Sequence, residues 1–327
     1  MPTVLLSAPY MLPFVGRFRP VFAHYGIELI VADVRERLSE AELLNYAGQF
    51  DGVICGDDRF TEAVLRRCAP RLKVVSKWGT GIDSIDSQAA GALGIRVCRT
   101  PNAFTLPVAD SVLAYILAFA RRQPWMDREM KSGLWEKLPG RSLSECTLGV
   151  IGVGNIGKAV IRRARAFGMK ALGNDIIPIA PDFILENGVE MTSLDDLLQR
   201  ADFVSLNCDL NPTSRHIMNA QTLGRMKSTA VLINTARGPL VDEPALVAAL
   251  QAQQIAGAAM DVFEVEPLPV DSPLLQMDQV MLAAHNSNSS PAAWERVHWN
   301  TIRNLLEGLN IPCDDLEQLK NSTPLGG

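Results

Sequence analysis

The stretch "NTARGPLVDEPAL", residues 234–246, follows an apolar run, "AVLI", that reads as a buried strand, so Arg237 stands at a strand tip. A guanidinium held there is costly unless something anionic meets it. Either a neighbouring carboxylate satisfies it, or the position is kept for an anionic ligand. His285 ends a second such run, "QVMLAAHN", and Glu266 lies just past a third, "GAAMDVFEVEP", with Asp261 at that strand's tip. An arginine can clamp a 2-oxo acid by its carboxylate and polarise the ketone. An imidazole near neutrality can give a proton to the developing alkoxide and recover it in reverse. A carboxylate beside that imidazole raises its pKa and fixes its orientation. Each residue alone has a plainer reading, as a structural ion pair or a satisfied core histidine. Three of them at successive strand ends favour one shared rim, because ligands of open α/β sheets bind beyond the carboxyl ends of the strands. The other histidines sort differently: His24 and His298 lie in helical patterns, and His216 follows "NPTSR" in a loop.

"LGVIGVGNIGKAV" holds Gly152-x-Gly154-x-x-Gly157 between a buried-type strand and a helical pattern. The glycines serve a tight turn, close backbone approach to a pyrophosphate, and close helix–strand packing, while the helix N-terminus offers N–H groups to the phosphates. Alone the pattern is weak. Asp175, eighteen residues beyond Gly157 at the end of "KALGND", strengthens it. A carboxylate there accepts from a ribose diol and repels a 2′-phosphate, and "IIPIAP" after it supplies no arginine. The pattern points to a dinucleotide, and to NAD rather than NADP.

Short apolar runs alternating with helical patterns must position these groups. "TVLLSA", "ELIVAD", "GVICG", "LKVVSKWG" and "IRVCRT" read as five strands of a first βα series. A second series, of six strands, runs from "TLGVIGVG" to "QVMLAAHN". Such series build parallel sheets with helices on both faces. Between them, residues 102–122 form a helix whose apolar surface is broader than one core-facing stripe needs. It either crosses between domains or forms a subunit interface. "SPAAWERVHWNTIRNLLEGL" is an amphipathic helix capped by Ser290, with Pro291 at its first position. It is expected to return to the first domain. The expected division is therefore residues 1–99 with 287–327 as a substrate-binding domain, and 100–286 as an NAD-binding domain.

The chain has 327 residues, 47% hydrophobic and 20% charged, which suits two domains with cores. A net charge of −5 argues against nucleic-acid and anionic-membrane partners. No apolar run is long enough to span a bilayer, and "MPTVLLSAPYMLPF" lacks the basic start of a secretion signal. The six scattered cysteines form no CxxC pair, which points to reduced thiols, a cytoplasmic location and no metal site.

The stretches "KWGTGIDSID", "GVIGVGNIGKAVIRRARAFGMKALGND", "LINTARGPLVDEPALVAAL" and "GAAMDVFEVEP" resemble the D-isomer-specific 2-hydroxyacid dehydrogenases. The resemblance runs from about residue 73 to 285. It implies two Rossmann-like α/β domains with doubly wound parallel sheets. The substrate domain would be flavodoxin-like and discontinuous, and the protein a homodimer paired through the NAD-binding domains. It implies catalytic roles for Arg237, Glu266 and His285. Lys77, Trp78, Gly79 and Thr80, running on to Gly81, would form the opposing wall of the substrate site. It further implies cofactor contacts at Gly152, Gly154, Asn155, Ile156, Gly157, Asp175, Cys208, Thr235, Ala236, Arg237, Asp261 and His285. The substrate would be a small 2-hydroxy or 2-oxo acid. Two other readings remain open on this scaffold, an NAD(H)-sensing binding protein and a dehydrogenase of a small inorganic anion such as phosphite.

The chain departs from the family pattern in places. The usual proline before the histidine and small residues after it are replaced by Ala284-His285-Asn286-Ser287-Asn288, and a usual glutamate is Asp110. Where phosphoglycerate dehydrogenases tend to carry an arginine, this chain has Gly56, Asp57 and Asp58, followed by Arg59. Carboxylates beside a phosphate are unfavourable. Unphosphorylated 2-oxo acids are therefore favoured over phosphohydroxypyruvate.

Overall fold

In the computed structural model, which describes residues 1–323, the two series of apolar runs fold as two separate parallel sheets. The chain divides into two compact units, Met1–Ala103 together with the segment from Ser290 onward, and Phe104–Ser289. The first unit carries β1 (Thr3–Leu6), β2 (Glu28–Val31), β3 (Gly52–Cys55), β4 (Val74–Lys77) and β5 (Arg96–Cys98) in the order β2-β1-β3-β4-β5. Helices α1 (Val15–His24), α2 (Glu40–Leu44), α3 (Glu62–Cys68) and α4 (Ser87–Ala92) connect them. The central strands β1, β3 and β4 are buried throughout, as expected where helices cover both faces of a parallel sheet.

The second unit opens with α5 (Thr105–Arg121) and α6 (Gln123–Lys131). Its strands are β6 (Thr147–Ile151), β7 (Lys170–Asn174), β8 (Val189–Met191), β9 (Phe203–Leu206), β10 (Val231–Asn234), β11 (Gly257–Met260) and β12 (Val280–Leu282). Between them lie α7 (Asn155–Ala166), α8 (Pro181–Asn187), α9 (Leu194–Arg200), α10 (Ala220–Leu223) and α11 (Glu243–Gln251). The strand order is β12-β11-β10-β9-β6-β7-β8, all parallel. Strand order reverses between β6 and β9, the switch point that opens a crevice at the carboxyl ends of the strands. The sheet has seven strands among the described residues, not the six expected. The addition is β8, whose three residues "VEM" carry an acid at their centre and form no apolar run. Much of the apolar breadth of α5 is used inside this unit. Ala109, Val112, Leu113 and Ile116 share a core with Val160, Ile161 and Ala164 of α7.

The chain returns to the first unit through α12 (Pro291–Gly308) and α13 (Leu316–Ser322). Ser290 caps α12, its hydroxyl accepting from the Ala293 N–H at 3.4 Å. Leu305 lies so close to β3 that a Cβ on Gly52 would stand 2.8 Å from its methyl, and Gly308 abuts Val74 of β4 in the same way. Among the described residues, no helix is long and apolar enough to cross a membrane.

Candidate active site

At the carboxyl end of β6, Gly152 adopts φ +89°, and its N–H donates to the Asn174 carbonyl at 2.8 Å. A Cβ here would stand 2.5 Å from the Cys208 nitrogen, so the turn and the end of β9 meet backbone to backbone. A Cβ on Gly157 would lie 2.1 Å from the Gly152 carbonyl oxygen, which fixes how α7 leaves the turn. Gly154 behaves differently, with none of the described residues within 4 Å of a Cβ placed on it. The first and third glycines are thus required by packing, while the second faces open space at the N-terminus of a twelve-residue helix. Asn155 and Ile156 begin that helix. The Asp175 carboxylate accepts from the Val153 N–H at 2.6 Å and the Ile177 N–H at 2.9 Å, which anchors it beside the turn. Beyond β9 and β10, Asn207 Oδ1 and Thr235 Oγ1 are buried polar atoms with no hydrogen-bond partner among the described residues. An open second glycine, an anchored acid and orphaned polar atoms together fit a dinucleotide with a free ribose diol. Burial pushes the Cys208 thiol, just past β9, up to about 11, which keeps it neutral near pH 7.

Three further strand ends lie along the same edge. After β10, Asn234 is fully buried, and its side chain ties down the turn that follows. Its amide donates to the Arg237 carbonyl at 2.8 Å and its oxygen accepts from the Ala236 N–H at 3.1 Å. The Arg237 guanidinium donates to the Ala236 carbonyl at 2.8 Å. Next in the chain, Gly238 has no room for a side chain, since a Cβ would fall 1.9 Å from the Phe263 carbonyl carbon and oxygen. That contact presses the Arg237 turn onto the loop after β11, which carries Glu266. The Glu266 carboxylate accepts from the Phe263 N–H at 2.9 Å, and its other oxygen lies 3.2 Å from His285 Nδ1.

His285 has φ +50°, an uncommon backbone for a residue with a side chain. Asp261, 1% exposed, accounts for it. The His285 N–H donates to the Asp261 carbonyl at 2.8 Å, and the Asp261 carboxylate accepts the N–H groups of Asn286 at 2.8 Å and Ser287 at 2.9 Å. Hydrogen bonds to a charged acceptor contribute roughly 1.5–3 kcal/mol each. The left-handed backbone costs about 1–3 kcal/mol, so the carboxylate more than offsets it. Sequence reasoning set Asp261 at the strand tip but did not find this pinning role, nor that of Asn234. A buried acid or amide immediately at a strand end was the available signal. His216, read as a loop residue, is paired with Glu264 at 2.5 Å, on the same loop as Glu266.

In the first unit, Lys77 to Thr80 lie at the carboxyl end of β4. Lys77 is 4% exposed and stands 3.0 Å from Asp57. The Trp78 indole is buried, donates to His298 Nδ1 at 2.9 Å and stacks with Tyr10, so its side chain serves this unit's interior. Gly79 adopts φ +130°, and the Thr80 hydroxyl donates to the Thr100 carbonyl at 2.8 Å. Asp58 is fully buried, accepting from the Ser7 hydroxyl at 2.5 Å and the Leu38 N–H at 2.6 Å.

Comparison with known proteins gives a consistent result. Residues 113–287 match the family described as D-isomer specific 2-hydroxyacid dehydrogenase, NAD binding domain. A glyoxylate reductase of Korarchaeum cryptofilum is 41% identical over 251 residues, 75% of either chain. A hydroxypyruvate reductase of Thermotoga maritima is 36% identical over 281 residues, 84% of this chain and 90% of that one. Among solved structures, the D-lactate dehydrogenase of Aquifex aeolicus, complexed with NAD and lactic acid, superposes with a TM-score of 0.83 at 28% identity, covering 99% of both chains.

Proposed function

The chain belongs to the D-isomer-specific 2-hydroxyacid dehydrogenase family, and we propose that within it the protein reduces small, unphosphorylated 2-oxo acids to D-2-hydroxy acids. Enzyme class and cofactor follow from membership: it is an NAD-dependent oxidoreductase of hydroxy and oxo acids. The observation that carries the proposal is the Glu266–His285 pair at 3.2 Å on a backbone turn pinned by Asp261.

When bound, the cofactor supplies the hydride that reaches C2 of the oxo acid. Arg237 binds the substrate carboxylate and draws electron density from the ketone, which makes C2 electrophilic. Glu266 holds the proton on Nδ1 and orients the ring. The imidazolium it favours gives the Nε2 proton to the C2 oxygen as the carbon–oxygen double bond becomes a hydroxyl. In the reverse direction Nε2 takes that proton back. The first unit is read as the substrate-binding domain, with Lys77, Trp78, Gly79 and Thr80 as its substrate-binding residues. The second is the NAD-binding domain, with Gly152, Gly154, Asn155, Ile156, Gly157, Asp175, Cys208, Thr235, Ala236, Arg237, Asp261 and His285 as the residues that would hold the cofactor.

The preference against phosphorylated substrates rests on β3 and β4. Lys77, the cation at that rim, already faces Asp57 at 3.0 Å, which lowers its value to a phosphate. Replacing Arg237 with lysine removes a planar two-point donor. It should lower kcat/KM for the oxo acid by about 10–100-fold, roughly the 1.5–3 kcal/mol of a charge-assisted pair. Steady-state kinetics checks this. Unchanged kcat/KM would remove Arg237 from the substrate site.

A further inference from the structure

The amino ends of the NAD-binding sheet, opposite the edge that carries Gly152 and His285, form a second concave region. Thr147 opens β6, Lys170 opens β7 and Glu190 lies in β8. With Arg165, Arg200 and Lys227 they line a cavity of about 420 Å³. That volume falls within the roughly 300–1,000 Å³ range of small-molecule sites.

The charges around it do not balance. Arg200 is matched, with two bonds to the Glu190 carboxylate at 2.6 Å and one to Asp196 at 2.6 Å. Arg141 and Lys227 share a single carboxylate, that of Asp202, at 3.1 Å each, and its second oxygen accepts the Thr147 N–H at 2.8 Å. Both cations, together with that N–H, hold the Asp202 carboxyl below its ordinary range despite its burial. Arg165 donates to the Met169 carbonyl at 3.0 Å, with its guanidinium over Gly188. Among the described residues, no carboxylate forms an ion pair with Arg165 or with Lys170. Of the described residues that line the cavity, four are thus cations, Arg165, Lys170, Arg200 and Lys227, and one is a carboxylate, Glu190, with Asp196 and Asp202 behind Arg200 and Lys227. Helix C-termini attract positive side chains, which accounts for Arg165 and Arg200 in the last turns of α7 and α9. It does not account for Lys170 at the head of a strand, or for Lys227 and Arg141 in loops.

We propose that this cavity binds a small organic anion carrying a phosphoryl group, held by Lys170 and Arg165 with Lys227 and the Thr147 hydroxyl as further donors. The site is separate from the glycine turn, lying at the opposite ends of the same strands β6 and β7.

Inorganic pyrophosphate is the probe, titrated calorimetrically into the full chain saturated with NADH so that the glycine turn is filled. One saturable event per chain is expected, weakening as sodium chloride is raised. The Arg165→Glu, Lys170→Glu double variant should weaken it at least tenfold, with NADH affinity unchanged. Lys170→Gln, a milder change at an exposed position, should weaken it about threefold and serves if the charge reversals do not fold. Three results would overturn the proposal. These are no saturable heat in the presence of NADH, equal affinity in the variants, and a pyrophosphate event that NADH abolishes.

Discussion

The proposed chemistry depends on few atoms, and the least obvious of them belong to Asp261. His285 needs an imidazole that faces Glu266 and a backbone that turns sharply out of β12. The Asp261 carboxylate supplies the second by accepting two consecutive N–H groups. Asparagine cannot do the same, because its amide would set a donor against one of those N–H groups. Asp261→Asn is expected to lose about 1–3 kcal/mol of stability and at least tenfold in kcat, with the larger relative loss in kcat. Denaturant unfolding and steady-state kinetics test it together. A variant with full kcat and reduced stability would show that the turn does not set His285. At this scale the sequence is most informative about side chains that do chemistry and least about those that hold them. Arg237, Glu266 and His285 stand out by type at strand ends. Asn234 and Asp261 look like ordinary polar residues until their partners are known.

The elements were largely legible, because fully buried parallel strands read as continuous apolar runs and β1, β3, β4, β9 and β10 are such strands. β8 escaped because an edge strand of three residues has no such run. The mutual approach of loops was not legible either. Gly238 against Phe263 brings two strand ends together through a contact between residues that are distant in sequence. A second feature at this scale is the seam where α12 covers β3 and β4. His298 on α12, 2% exposed, accepts the Trp78 indole N–H, and burial pushes its pKa down to about 4. Below pH 6.5 the unfolded chain takes up a proton that the folded one refuses, so this group destabilises progressively as pH falls from 6.5 toward 4. The full effect is about 3 kcal/mol, from a shift of roughly 2.5 pKa units. Buried Asp58 acts with the opposite sign. Its carboxyl is raised to about 6, so the folded state gains protons first and becomes more stable as pH falls from 6 toward 4. The two partly cancel in the native protein, and the informative quantity is a difference. His298→Gln should gain relative to the native chain as pH is lowered from 6.5 to 4, measured by thermal unfolding. Parallel curves would contradict it.

Considered as a whole molecule, the second unit exposes apolar side chains that its core does not use. Leu106 is 59% exposed, Met130 50%, Leu134 52% and Trp135 85%. The family resemblance implies a homodimer paired through the NAD-binding unit, and exposed apolar side chains of this kind are what such a pairing would cover. Trp135→Glu is expected to shift sedimentation from dimer toward monomer; a monomeric native chain would refute the dimer outright. The central claim concerns turnover, and one measurement addresses it most directly. NADH oxidation is followed with glyoxylate, hydroxypyruvate, pyruvate and phosphohydroxypyruvate, for the native chain and for His285→Ala. An unphosphorylated acid should turn over with higher kcat/KM than phosphohydroxypyruvate, and His285→Ala should lower kcat by about 10²–10⁴-fold while still binding NADH. Tight NADH binding with no acid reduced, or a His285→Ala enzyme of undiminished kcat, would contradict the account.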